Sequence, residues 1–519
     1  MEALYDISSI ENRLRDLLKI IPRNTLDQIY TVIDDGVNRL HEPMQLAIIG
    51  KISSSKSTLV NAILGKTEIM STGQKEVTYN VGWLKYGRPD SDIIIHHKDG
   101  SPNTLKSPKD FTLWTTEGKN KEIDNVSYIE IFDDAEILKE VNIIDTPGLD
   151  ALRGKDSQNT LEFIKKVHPD AVIMLFTHSV SENVLDIVSQ YNAGTSFNPL
   201  NALGILSKID VLWQETFERD RTALEIGKKM TANRLRKNPM LYKTLFNIYP
   251  ISALIFLAAS TLPSEILEEI KTLAESDEEI LKKSLNSVSA FVKEENELTL
   301  PVNKRQQLCD TVGLYGIYLI LDLVRQNAQI DINDVKKRLW RESGAKEFMK
   351  VLHNHFGLRA KLIKIESIYQ RIHQAIKESR GKTQDSSSIQ LIYKIEQRVS
   401  EIFSSLVYEH REYEFLTKLY NNEINIDNET RTEFLNLCGE HGASAPERLG
   451  MKTSEIPVQK LIDKAQSGEI YWRKAVSLEP DPDEREWMNV VLASYTNLRL
   501  KLQTINYQYE QAKAFLFNE

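Results

Sequence analysis

The stretch LAIIGKISSSKST, residues 46–58, sets a short apolar run against a serine-rich turn that ends in a lysine and two hydroxyl residues. An apolar run of this length, bounded by turn residues, predicts a buried strand. The turn follows the phosphate-binding pattern GxxxxGK[ST], in which backbone amides cradle phosphates, the lysine reaches their outer oxygens and the hydroxyl serves Mg²⁺. One position departs from it, because Ser55 stands where the pattern has glycine. Alone, the loop fits a working nucleotide site, a weakened one, or an ordinary serine-rich turn.

Working outward, residues 45–259 alternate short apolar runs with polar or helix-like stretches: LAIIG, YNVGWLKYG, DIIIHH, SYIEIF, VNIID, AVIMLF, ALGILS and FNIYPIS. This alternation predicts a mostly parallel α/β sheet covered by helices. Upstream, Ile10, Leu14, Leu17, Leu18 and Ile21 recur at helical spacing behind Ser8 and Glu11, which read as a capping box. A second amphipathic helix is expected from about residue 26 to 40, ended by His41–Glu42–Pro43. Beyond Pro263 the pattern becomes charged and 3.6-periodic, with breaks at 381–388 and 442–451. Residues 483–517 contain no proline or glycine and predict one helix of roughly 50 Å. The expected organisation is residues 1–43 as helices that pack with the C-terminal half, 44–260 as the α/β domain, and 261–519 as an all-α bundle or stalk.

A nucleotide site must also sense the terminal phosphate, hold Mg²⁺ and read a base. The chain supplies these parts in order. The run VNIID delivers Asp145 into Asp145–Thr146–Pro147–Gly148, a DxxG pattern whose carboxylate can hold a metal-bound water and whose bare glycine amide can approach a phosphate. The run ALGILS delivers Ser207, Lys208 and Asp210, close to [NT]KxD, in which the carboxylate accepts from guanine N1 and N2 and the lysine stem lies along the ring. The run YPISAL ends at Ser252 and Ala253, where a backbone amide can meet guanine O6.

On these motifs the chain resembles the GTP-binding domain of the dynamin superfamily, and within it the bacterial dynamin-like members. Like them it has a hydrophobe, Leu149, after DxxG, and the 89 positions between Lys56 and Asp145 match an enlarged domain. The resemblance implies an α/β GTPase domain of P-loop type beside a large helical stalk. It implies that Gly50, Ser53, Ser54, Ser55, Lys56, Ser57 and Thr58 wrap the phosphates, with Lys56 on the outer ones. Asp145, Gly148, Ser207, Lys208, Asp210, Ser252 and Ala253 complete the nucleotide site. Mg²⁺ falls to Ser57, Thr78 and Asp145, and catalysis to Ser53, Lys56 and Thr78, with Ser53 helping to hold K⁺ or Na⁺ in place of an arginine finger. Three departures stand out. Ile52 replaces a glutamine that animal dynamins place near the attacking water, Ser207 replaces Asn or Thr, and Ser55 replaces glycine. A Cβ at position 55 is expected to crowd the phosphates, and a positive φ there to add ~1–3 kcal/mol of strain that weakens nucleotide binding.

Composition narrows the alternatives. A net charge of −9 and a pI near 5.8 argue against a nucleic-acid binder. Two cysteines, Cys309 and Cys438, form neither a disulfide framework nor a zinc pattern and suit a reducing cytoplasm. The N-terminus lacks the features of a secretory signal, and the apolar stretch 251–262 is shorter than the ~20 residues of a membrane span. The histidine pairs 96/97 and 353/355 read as ordinary strand-end and helix-face residues, and Tyr471, Trp472 and Trp487 as packing anchors. The segment after Asp150 reads as a solvated helix. The function expected is GTP hydrolysis to GDP and phosphate, with pairing of heads in a homodimer or a larger homo- or hetero-oligomer. Peripheral contact with the inner membrane and membrane remodelling go with it. The alternative is a guanine-nucleotide switch or scaffold with negligible hydrolysis that acts on a protein partner.

Overall fold

The computed structural model describes residues 7–51, 53–67, 69, 80–115, 122–147, 167–177, 201–215, 221–238, 241, 244–295, 297–357, 359–404, 407–420, 424, 426–440, 442, 444–451 and 456–517. The chain divides into two compact units, Pro43–His353 and Met1–Glu42 with Asn354–Glu519.

The first unit is built on a sheet which, among the described residues, has nine strands: β1 (Met44–Gly50), β2 (Val81–Tyr86), β3 (Ile93–His97), β4 (Thr104–Lys106), β5 (Val126–Asp133), β6 (Val141–Asp145), β7 (Ala171–Phe176), β8 (Ala202–Ser207) and β9 (Ile248–Ile251). Their spatial order is β4-β3-β5-β2-β6-β1-β7-β8-β9. β6, β1, β7, β8 and β9 are mutually parallel, whereas β2 runs antiparallel to β6 and begins a mixed wing with β5, β3 and β4. Sequence explains the contrast. The central strands β1, β6, β7 and β8 are buried along their whole length and read as largely apolar runs, while β2 and β3 alternate buried with half-buried residues because one face of the wing is solvated. β4 is too short and polar to register as an apolar run.

The sequence pattern closes this domain near residue 260, but the compact unit runs on to His353. The physical reason is a shared core. Ile209, Leu212, Trp213 and Ile226 beside the sheet join Ile266, Ile270, Leu308, Val312, Ile320, Val335 and Leu339 from helices that follow it. Helix Val302–Gln326 is long and apolar enough to cross a membrane, yet Leu308, Val312, Ile317 and Ile320 spend its apolar face on this core.

In the second unit, α1 (Ile7–Leu18) and α2 (Asp27–Arg39) bury Ile10, Leu14, Ile29, Ile33 and Val37 against Ile365, Ile368 and Ile372 of helix Ala360–Lys382 and Ile392, Ile395 and Val399 of helix Ser386–Phe403. Gly36 lets α2 approach closely, since a Cβ there would lie 2.7 Å from Ile368 Cγ2. Asp35 accepts from Arg371 at 2.6 Å beside it. Ser8 lies inside α1 rather than capping it, so the expected capping box is absent. Helix Val458–Leu478 folds back on helix Pro482–Phe517, with Trp472 and Trp487 edge to face at 5.6 Å and Glu433 accepting from both Trp472 Nε1 and Tyr495 Oη. Tyr471, by contrast, is exposed and is not one of these anchors.

Candidate nucleotide site

The parallel strands β1, β6, β7, β8 and β9 all point their C-terminal ends the same way, and in such a sheet ligands bind beyond those ends. β1 runs out at Gly50 into the serine turn, and α3 (Lys56–Leu64) begins at once. Ser53 and Ser55 turn the chain in the left-handed region, with φ of 58° and 67°. Glycine is the residue that adopts this conformation without cost, which is why its absence at position 55 matters. Ser54 is fully buried inside the turn, and among the described residues its Oγ has no hydrogen-bond partner. Lys56 is buried and donates to the carbonyls of Gly50 at 3.2 Å and Lys51 at 3.0 Å, so its ammonium sits in the mouth of its own loop.

Strand pairing brings the second motif here. Asp145 stands in register with Ile48, and Ser57 Oγ donates to Asp145 Oδ2 at 2.8 Å, across 88 positions of sequence. Asp145 is fully buried, and among the described residues its Oδ1 has no hydrogen-bond partner. Burial pushes its carboxyl up to about 6, against the pull of Lys56 and the Ser57 hydrogen bond. A carboxylate with one bare, desolvated oxygen beside a hydroxyl and an ammonium suits a hard cation, for which oxygen ligands are required. Ser57 and Asp145 thus fit Mg²⁺. Thr146, which sequence reasoning passed over, donates its hydroxyl to the Ile48 carbonyl at 2.8 Å and pins the start of the DxxG turn to β1. A threonine inside a glycine-containing turn motif carries no separate sequence signal.

The base motif leaves β8 at Ser207, whose buried hydroxyl donates to the Phe176 carbonyl at 3.1 Å and ties β8 to the end of β7. Lys208 takes φ 57°, a conformation unusual for lysine that turns the chain toward half-buried Asp210 in the 3₁₀ segment Ile209–Glu215. At the end of β9, Ser252 caps helix Ala253–Thr261 through a bond from the Ile255 amide. The amide of Ser252 donates to the Ser343 carbonyl at 3.0 Å. It is therefore engaged, and of the two residues expected to meet guanine O6, Ala253 at the first turn of the helix is the one without an intrahelical acceptor. Thr78, Gly148, Ile52, Leu149 and the segment after Asp150 lie outside the described residues.

A phosphate-type loop, a buried metal-suited carboxylate and a base motif at the ends of parallel strands define a P-loop nucleotide-binding domain. Residues 46–208 match the model of the Dynamin family. Over that segment the chain is similar to the Dynamin family, and its relatives include bacterial dynamin-like proteins. It is 27% identical over 301 residues to Isoniazid-induced protein IniC of Mycobacterium tuberculosis, covering 56% of this chain and 58% of that protein. It is 26% identical over 223 residues to Dynamin-like protein 2 of Campylobacter jejuni, covering 42% of this chain and 35% of that one. The chain thus spans less than two thirds of the length of these curated relatives. Among solved structures, one of an oligomerised bacterial dynamin pair aligns at 13% identity and a TM-score of 0.35, covering 99% of this chain and 93% of that one.

Proposed function

We propose that this chain binds GTP at the turn between β1 and α3 and hydrolyses it to GDP and phosphate. The observation that carries the reading is the convergence of Lys56, Ser57 and Asp145, with Ser57 Oγ 2.8 Å from one carboxylate oxygen and the other oxygen without a hydrogen-bond partner among the described residues. Lys56 would exchange its two loop carbonyls for phosphate oxygens, while the amides after Gly50 wrap the phosphates. Ser57 and Asp145, together with Thr78, would hold Mg²⁺, which when bound neutralises phosphate charge. Ser53 belongs to the turn that would take K⁺ or Na⁺, and Gly148 would meet the terminal phosphate. Lys208 and Asp210 would select guanine. Catalysis in this class rests on positioning and electrostatics rather than on covalent chemistry with the protein.

Similarity to the Dynamin family over residues 46–208 supports the wider reading, in which heads pair with GTP bound and the cycle drives the helical unit in assembly or membrane remodelling at the cytoplasmic face of the inner membrane. The test is GTP turnover against enzyme concentration, in K⁺ and in Na⁺, with and without liposomes, for the native chain and for Lys56→Ala. Specific activity that climbs with concentration and vanishes in Lys56→Ala is expected; turnover per enzyme independent of concentration refutes head pairing. A second reading, a GTP-dependent switch or scaffold with negligible hydrolysis, is favoured by the Cβ of Ser55 at the loop. It predicts saturable binding of labelled GTP without phosphate release.

A further inference from the structure

Among the described residues β9 is an edge strand, paired with β8 on one side only, and Pro250 offers no amide on it. Its end is held by residues far downstream. Helix Ile332–Glu342 turns at Ser343–Gly344 into helix Ala345–Val351, and the Ser343 carbonyl takes the Ser252 amide. Ser343 is fully buried, with its hydroxyl donating to the Trp340 carbonyl at 2.9 Å and accepting from the Ala345 amide at 3.2 Å. Gly344 adopts φ 81°, and a Cβ on it would lie 2.1 Å from the Pro250 carbonyl oxygen. No L side chain fits there without moving β9. On another side of Pro250, a Cβ on Gly227 would lie 2.7 Å from the proline ring, so helix Ala223–Lys237 also presses on this residue. Trp340 packs edge to face on Phe256 of the capped helix at 5.3 Å, and Lys228 pairs with Glu347 at 2.5 Å.

We propose that Ser343 and Gly344 are positioning residues for guanine: they fix Ser252, and through it the Ala253 amide that reads the O6 atom of the base. The inference rests on the guanine-nucleotide reading above and adds to it a second consequence. The site of a domain recognised over residues 46–208 is completed by a helical turn well beyond that segment. Base occupancy and the seating of helices 332–351 then act on the same strand end. A guanine that draws Ala253 into place favours the seated turn, and an unseated turn loosens the grip on the base by the same factor.

The experiment compares GDP with 6-thio-GDP, which keeps N1 and N2 of the base but replaces O6 by a poorer acceptor. Native chain, Gly344→Ala and Ser343→Ala are titrated by calorimetry, and unfolding without nucleotide establishes that each variant is folded. Ser343→Ala inserts nothing and removes only the hydroxyl that stiffens the turn, so it covers the case in which Gly344→Ala fails to fold. The expected result is loss of GDP affinity by about 3- to 10-fold, one hydrogen bond's worth, with a smaller loss for 6-thio-GDP, so that discrimination between the two narrows. An equal loss for both nucleotides in a folded variant, or no loss, overturns the positioning role alone. Failure of the native chain to bind GDP overturns the guanine reading, and this inference with it.

Discussion

Replacing Asp145 by asparagine separates what this residue does for the fold from what it does for the ligand. Burial raises its carboxyl from 3.8 to about 6. A carboxyl whose pKa is higher folded than unfolded holds its proton more tightly in the folded state, so ionising it costs stability as pH rises from about 4 to 6. This is the reverse of the usual salt-bridged aspartate. At 1.36 kcal/mol per unit, the cost at pH 7 is about 3 kcal/mol. Asp145→Asn keeps an oxygen that can accept from Ser57 and carries no charge. The variant is therefore expected to melt higher than the native chain at pH 7.5, by about 5 °C for a unit of this size, with the gap closing near pH 4. Scanning calorimetry at the two pH values, without nucleotide, measures it. In the same instrument, Mg²⁺ with GTP should raise the melting temperature of the native chain and leave that of the variant unmoved. An Asp145→Asn protein that melts lower at pH 7.5, or whose gap does not change with pH, would refute the account of a carboxylate held at a cost for its ligand.

Ser55→Gly tests the missing glycine. Ser55 adopts φ 67° in the folded turn, a conformation in which a non-glycine residue is strained. Urea unfolding should show a gain of about 1 kcal/mol, while GDP affinity stays within about threefold; a large affinity gain without a stability gain would instead identify crowding by the Cβ. Thr146→Val should cost about 1 kcal/mol through the hydrogen bond to Ile48 and lower the response to Mg²⁺–GTP, read by the same melting assay. In the helical unit, Gly36→Val drives side-chain atoms into Ile368, and loss of about 1–3 kcal/mol should appear in the unfolding of that unit with GDP affinity unchanged; unaltered unfolding would mean that α2 shifts freely.

The sheet, the nucleotide loop and the order of the three motifs were legible in the sequence because each depends on local chemistry. A largely apolar run makes a strand buried on both faces, a glycine–serine turn before a lysine fits the pattern of a phosphate cradle, and SKID follows its strand directly. Helical spacing likewise placed α1, α2 and the long helix from Pro482 without reference to any neighbour. The sequence could also raise the question of Ser55, since the pattern calls for glycine. The φ of 67° at that position is a property of the folded turn.

What the tertiary structure alone decided lies at contacts between distant segments. The meeting of Ser57 with Asp145 follows from the pairing of β1 with β6, and the rise of the Asp145 carboxyl from the burial that pairing imposes. The boundary at His353 follows from helices that share the sheet's core, although their amphipathic pattern is the same as that of helices in the other unit. The hold of Ser343 on Ser252 passes through a backbone carbonyl and a backbone amide, groups that every such residue carries. Periodicity reports which face of an element is apolar but not which partner covers it. Hydrogen bonds of the main chain are written only in three dimensions.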